Sequence, residues 1–280
     1  MPVALLPFAL LFGLAAAASP QAPAYSVASI VNAADNQTAT LAPNTIATIY
    51  GTGLAWVTRA MNPNDIHGGT LPTVLSGTGV HVIVGGIVAN IYYVSPTQIN
   101  FLVPSSLLPA ASNVQVVLDS TSGPLVPVQI AAASPALFQL DALNAIATRP
   151  DGSLLTPDAP ANAGDIVILY ATGLGQTVPT AEYSQLPTQA ASLKLPGFQI
   201  LLDGSPIDPA AILYAGIAPG FAGLYQINLI IPAATGPNPE IRIGFDGTLS
   251  KPSLRLPLAG LTQRRGISRI ILSASILSNG

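Results

Sequence analysis

Pro43-Asn44-Thr45-Ile46-Ala47-Thr48-Ile49-Tyr50-Gly51-Thr52-Gly53-Leu54 returns later in the chain as Ala163-Gly164-Asp165-Ile166-Val167-Ile168-Leu169-Tyr170-Ala171-Thr172-Gly173-Leu174. A second landmark follows each in the same order: Gln98-Ile99-Asn100-Phe101-Leu102-Val103-Pro104, then Gln226-Ile227-Asn228-Leu229-Ile230-Ile231-Pro232. Two landmarks recurring at a similar interval mark two copies of one folding unit. The spacing places the first unit over 25–139 and the second over 140–260, leaving 1–24 as a leader and 261–280 as a tail outside the repeat.

Both copies read as β structure. The 27 prolines and 25 glycines leave few intervals long enough for a helix of several turns. Val, Ile, Thr and Tyr dominate the apolar runs, as strands favour. In Glu240-Ile241-Arg242-Ile243-Gly244-Phe245, alternation sends Ile241, Ile243 and Phe245 to a core and Glu240 and Arg242 to water. Val114, Val116 and Leu118 repeat that pattern in the first copy, with Gln115 and Asp119 on the wet side. The run from Ile166 to Tyr170 is apolar on both faces, which predicts cover on two sides. Short strands divided by Pro and Gly turns predict an all-β protein of two tandem immunoglobulin-like antiparallel β-sandwiches.

Composition narrows the function. Only 8% of the residues are charged and the net charge is -3, so there is no cationic face for nucleic acid. Val3 to Ala18 is an apolar run followed by small residues and Ser19-Pro20-Gln21, the layout of a secretory signal cleaved near Ala18 or Ala24. The run is shorter than the roughly 20 residues needed to span a bilayer, so no stable transmembrane anchor is expected after cleavage. The expected location is secreted or in the cell envelope. The tail places Arg264, Arg265 and Arg269 ahead of an apolar stretch that is also too short to span.

Several strings together resemble one family. Ile30-Val31-Asn32-Ala33-Ala34, the Tyr-x-Thr-Gly-Leu strings at 50–54 and 170–174, Tyr93-Val94-Ser95-Pro96-Thr97-Gln98-Ile99-Asn100 and Gly220-Phe221-Ala222-Gly223-Leu224-Tyr225-Gln226-Ile227-Asn228 are similar to the Solibacter uncharacterised C-terminal domain family. The resemblance covers roughly Ser26 to Leu258. It implies tandem immunoglobulin-like modules of the IPT/TIG kind, found at the ends of larger exported bacterial proteins, and it implies no activity. This chain carries only the expected leader ahead of the domain, a departure from the family's usual arrangement.

Gly51-Thr52-Gly53 and Gly173-Leu174-Gly175 do not complete a dinucleotide fingerprint and read as strand-end turns. His67, in a Gly-rich loop near Asp65, and His81, opposite valines on a strand, are the only histidines, and there is no cysteine. That set offers neither a nucleophile-base pair nor the usual zinc ligands. Asp151-Gly152, Asp203-Gly204 and Asp246-Gly247 read as turns rather than a calcium cage. Glu182 and Glu240, the only glutamates, have no neighbouring acid that would make a glycosidase pair. No cofactor and no catalysis are expected.

The specific polar features are the amides of the repeated triplets. Alternation puts Gln98 and Asn100 on one face of a strand, and Gln226 and Asn228 on the matching face of its repeat. Their expected role is to satisfy loop backbone groups, with surface recognition as the functional alternative. Trp56, Tyr92 and Tyr93 join them as candidate recognition residues, because exposed rings stack on sugars and anchor interfaces. The second copy also carries ten more residues than the first between its Gly turn and its Gln-Ile-Asn triplet, including Ala218 to Gly223. The expected function is an exported, non-catalytic binding, adhesive or spacer protein whose partner is a cell-surface glycan or protein. The alternative is a carbohydrate-active accessory module or weak hydrolase, with acids converging between the domains.

Overall fold

The structure, a computed structural model, describes residues 22–38, 40–180 and 184–260. The apolar run at 3–18, Glu182 and the 261–280 tail lie outside the described residues. The first half contributes β1 (Ile30–Asn32), β2 (Thr40–Leu41), β3 (Ile46–Tyr50), β4 (Arg59–Ala60), β5 (Val80–Val84), β6 (Ile87–Val88), β7 (Asn90–Val94), β8 (Gln98–Leu102), β9 (Ala110–Leu118), β10 (Thr121–Ser122) and β11 (Val126–Ile130). One sheet runs β1-β3-β8-β7-β4 and the other β2-β11-β9-β5-β6, with β10 on β9. All of these pairs are antiparallel except β2 with β11.

The second half supplies β12 (Ala136–Leu137), β13 (Ala147–Thr148), β14 (Ile166–Thr172), β15 (Thr177–Val178), β16 (Ala191–Leu193), β17 (Gln199–Leu202), β18 (Ser205–Pro206), β19 (Ile212–Ile217), β20 (Tyr225–Ile230), β21 (Ile241–Phe245) and β22 (Thr248–Leu249). Its sheets run β12-β14-β20-β19-β16-β15, with β13 on β14, and β18-β17-β21-β22. The repeat read in the sequence is a repeat in space: β3 pairs with β8 as β14 pairs with β20, Tyr50 opposite Gln98 and Tyr170 opposite Gln226.

Each half closes its own core. In the first, Val80, Val82 and Val84 of β5 and Val114, Val116 and Leu118 of β9 meet Ile49, Ile99 and Phe101 from the facing sheet. In the second, Ile241, Ile243 and Phe245 of β21 meet Val167, Leu169, Ile227 and Leu229. Period-2 alternation of apolar and wet side chains is what sorts them between the two faces of each strand. The chain therefore forms two immunoglobulin-like sandwiches in tandem.

Two details differ from the sequence expectation. The crossover between units lies earlier than 139/140, because β12 pairs with β14 and Ala133 already packs in the second core while Ile130 packs in the first. A two-residue strand hydrogen-bonded at a sheet edge leaves no periodicity from which to assign it. The strand Ile166–Thr172 is covered on two faces only at its end: Ile166 is 39% exposed and Tyr170 is half-buried, whereas Ala171 and Thr172 are buried. Its apolar outer residues lie on an open sheet face.

The acid-glycine pairs are turns, as their composition suggests. Asp203-Gly204 joins β17 to β18 with Leu202 opposite Ser205, and Asp246-Gly247 joins β21 to β22 with Phe245 opposite Thr248. Gly204 and Gly247 adopt φ of 77° and 78°, a region that glycine enters without steric cost.

Candidate functional site

Two regions bring candidate residues together: the seam between the sandwiches and the outward faces of the two sheets that meet there. At the seam, β14 runs end to end into β3. The Thr172 hydroxyl accepts from the Ile46 N–H at 2.9 Å and donates to the Gly223 carbonyl at 2.8 Å. Asn44 donates to the Gly175 carbonyl and Gln176 to the Ser105 carbonyl. A short ladder adds backbone bonds, Leu71 N–H to the Ser184 carbonyl at 2.7 Å and Leu186 N–H to the Gly69 carbonyl at 2.8 Å.

The inserted residues of the second copy supply an apolar part of the seam. Segment 218–224 folds over the first sandwich, so that Leu71, Leu102 and Ala222 form a buried apolar cluster backed by Ile46, Tyr92 and Leu186. Tyr92 donates its hydroxyl to the Ala222 carbonyl at 2.8 Å. Burial pushes this phenol's pKa well above its ordinary value, as expected where the charged form has lost its water. Tyr92 is therefore a seam residue and not part of a surface for ligands. Its place beside the variable loop is legible in the sequence, but nothing in a strand's alternation shows that a loop 130 residues away will cover it.

Gly223 is a tight point of the seam. Its φ is 77°, and a Cβ there would lie 2.6 Å from a Leu102 methyl and 2.8 Å from Ile46. Glycine is required by both backbone conformation and space.

On the outer faces, Tyr93 stands opposite Asn100 and Tyr214 opposite Asn228. Gln98 Nε2 donates to Asn100 Oδ1 at 2.9 Å, and Gln226 Nε2 donates to Asn228 Oδ1 at 2.8 Å. The amides thus bond to each other, and the expectation that they satisfy loop backbone groups is corrected. The reason is geometric: residues two apart on a strand share a face, and these two side chains reach one another before either reaches a loop.

Trp56 is 56% exposed, and its Nε1–H donates to Asp119 at 2.9 Å across the far end of the first sandwich. It is not brought together with the amides. Asp65 is bound to Arg59 at 2.5 Å, and the Asn62 backbone N–H, followed by Arg59, holds its carboxyl below the usual range. His67 sits in the adjoining loop, where its backbone pairs with Thr70. His81 lies on the outer face of β5, opposite its valines.

A cleft of about 420 Å³ lies between the sandwiches, lined by Asn32, Asp35 and Thr40 from the first and by Ser134, Leu249 and Lys251 from the second. Among the described residues Asp35 is its one lining carboxylate, so they do not assemble there the convergent pair of acids that hydrolysis of a glycoside needs. Burial raises the Asp35 pKa, against the opposing pull of the Gln37 backbone N–H and the Lys251 charge. Among the described residues no group of three or more His, Cys, Asp or Glu is placed to hold a metal ion, and no helix is long and apolar enough to cross a membrane.

No family model and no curated protein matches the chain. Among solved structures it is similar to SGBP-B of the Bacteroides ovatus mixed-linkage glucan utilization locus, in complex with a mixed-linkage heptasaccharide, at 10% identity over 86% of this chain and 47% of that one, with a TM-score of 0.32. It is also similar to the plexin A4 full extracellular region, at 13% identity over 90% of this chain and 17% of that one, TM-score 0.26. The tandem Ig repeats of Dlar are similar at 11% identity over 79% of this chain and 92% of that one, TM-score 0.19. The chain spans less than half the length of the first two. The assignment as tandem immunoglobulin-like sandwiches rests on the sheets and cores themselves.

Proposed function

We propose that this chain works outside the cytoplasm as a non-catalytic two-sandwich element for binding, adhesion or spacing, and that it belongs with the Solibacter uncharacterised C-terminal domain family. The observation that carries the functional reading is the seam. Side-chain hydroxyls, amides, backbone bonds and a buried apolar cluster fix the two sandwiches to each other, whereas an enzyme that closes on substrate needs a joint that moves. A fixed tandem holds whatever surface it carries at a set spacing.

Export is supported by the apolar leader, and the fold favours one of the two cleavage positions. Ala24 exchanges both backbone bonds with Thr52 at 2.9 Å. The Tyr25 hydroxyl accepts from the Val116 N–H and donates to the Pro124 carbonyl. Cleavage near Ala18 leaves this anchor whole, and cleavage at Ala24 removes half of it.

The test combines small-angle scattering with turnover assays on the mature chain. A single elongated particle with no hydrolysis of glycosidic or ester substrates is the expected result. Sustained turnover that tracks the purified protein, or scattering that requires two freely jointed bodies, would overturn the reading.

A further inference from the structure

The outer faces of the two sheets carry the same four side chains in the same places. Tyr50, Gln98, Asn100 and Tyr93 on β3, β8 and β7 correspond to Tyr170, Gln226, Asn228 and Tyr214 on β14, β20 and β19. These positions point away from the cores, so packing within a sandwich does not explain why both copies hold the same set. Tyr50 is 41% exposed and the others are half-buried.

The amide-amide bond in each copy leaves the same two groups over. Among the described residues Gln Oε1, an acceptor, and Asn Nδ2, a donor, have no protein partner in either copy, and neither is sealed from solvent. A hydroxyl both donates and accepts, so a row of hydroxyls satisfies such a pair without rearranging it. The tyrosines supply flat apolar neighbours. Tyr214 is laid along its sheet, its hydroxyl bonded to the Ile217 carbonyl at 2.8 Å, with the ring over Gly216 where any Cβ would strike it at 2.6 Å. The flanking side chains are Ala60 and Thr48 in one copy and Ser192, Ile168 and Thr148 in the other, with no acid or base among them.

The two faces are continuous through the seam. Ile46 and Leu102, outward on the first sheet, and Thr172, outward on the second, all touch Ala222 or Gly223. The neighbouring ring of Phe221 is 61% exposed at this junction. Two residues from Tyr170 to Thr172 and four from Ile46 to Tyr50 put about 20 Å of strand between the equivalent amide pairs at the usual strand rise, besides the junction itself.

Resting on the non-catalytic binding reading above, we infer that this double face is a binding site for an uncharged, hydroxyl-rich polysaccharide chain, which contacts both amide pairs and crosses Phe221 between them. Absence of charge on the strip selects the uncharged polymer, and duplication of the pair selects a chain long enough to reach both.

The probes are hydroxyethylcellulose and glucomannan, with carboxymethylcellulose as the charged polymer, in affinity electrophoresis of the mature chain. Retardation by a neutral polymer, and weaker retardation by the charged one, is expected. The pair Gln98→Thr with Asn100→Thr, and separately Gln226→Thr with Asn228→Thr, should each lower affinity about 10- to 100-fold, because losing one of two linked contacts forfeits avidity. Phe221→Ala, at an exposed side chain, should lower it while leaving the thermal melt unchanged, which keeps the test valid if a strand variant misfolds. Trp56→Ala should bind as the parent does. Failure of both neutral polymers to bind, equal binding of the charged one, or loss of binding with Trp56→Ala alone overturns the site. Those results leave the fixed tandem untouched, since scattering and turnover decide it separately.

Discussion

Gly223→Ala puts the seam under direct load. Residue 223 has φ of 77°, and its new methyl would stand 2.6 Å from Leu102 and 2.8 Å from Ile46. A left-handed conformation costs a non-glycine residue roughly 1–2 kcal/mol, and overpacking adds typically about 1–3 kcal/mol. Gly220→Ala separates these contributions, because Gly220 has φ of 84° but nothing within 4 Å of the added carbon. The difference between the two variants is then the clash alone. Taking it as about 2 kcal/mol, Gly223→Ala should melt roughly 4–8 °C below Gly220→Ala for a chain of this size. Differential scanning calorimetry checks both the shift and its form. The clash falls between the sandwiches and outside either core, so the parent should unfold in one transition and Gly223→Ala in two. Should Gly223→Ala melt together with Gly220→Ala and in a single transition, the seam would not couple the two halves.

Asp35→Asn should raise the melting temperature at pH 7 and leave it unchanged near pH 3. Burial raises the folded-state pKa of Asp35, so holding it ionised costs stability once the pH rises above the unfolded value, and the amide removes that cost while keeping the acceptor for Gln37. Tyr25, Tyr92, Tyr214 and Tyr225 are all raised chiefly by burial, so the stability they share is present below pH 10 and drains away above it, measurable as a falling denaturation midpoint between pH 9.5 and 11.5 on the order of the unfolded tyrosine pKa. Intact-mass measurement of the exported protein should give a chain beginning at Ser19 and not at Tyr25, since the later start loses the pairing of Ala24 with Thr52.

Period-2 alternation in 240–245 and 114–118 named core residues correctly because a strand's two faces are set by its own side chains. The turns at 203–204 and 246–247 were legible for the same local reason. Of the candidate residues, the four amides and Tyr93 do lie on one kind of surface, while Trp56 stands apart from it and Tyr92 is lost to the seam. Phe221, Tyr50, Tyr170 and Tyr214 come into the same region only through the fold, although the duplicated tyrosines before the Thr-Gly-Leu strings are a signal in the sequence.

The sequence by itself determined that the chain is two copies of a β-sandwich, because duplication and alternation are properties of residue order. It also determined which side chains turn outward on the strands that alternate, such as 114–118 and 240–245. Only the tertiary structure decided that the extra segment of the second copy closes over the first, burying Tyr92 and joining two outer faces at Ala222 and Gly223. Contacts between segments this far apart depend on where whole sheets come to rest, and no local pattern encodes that position.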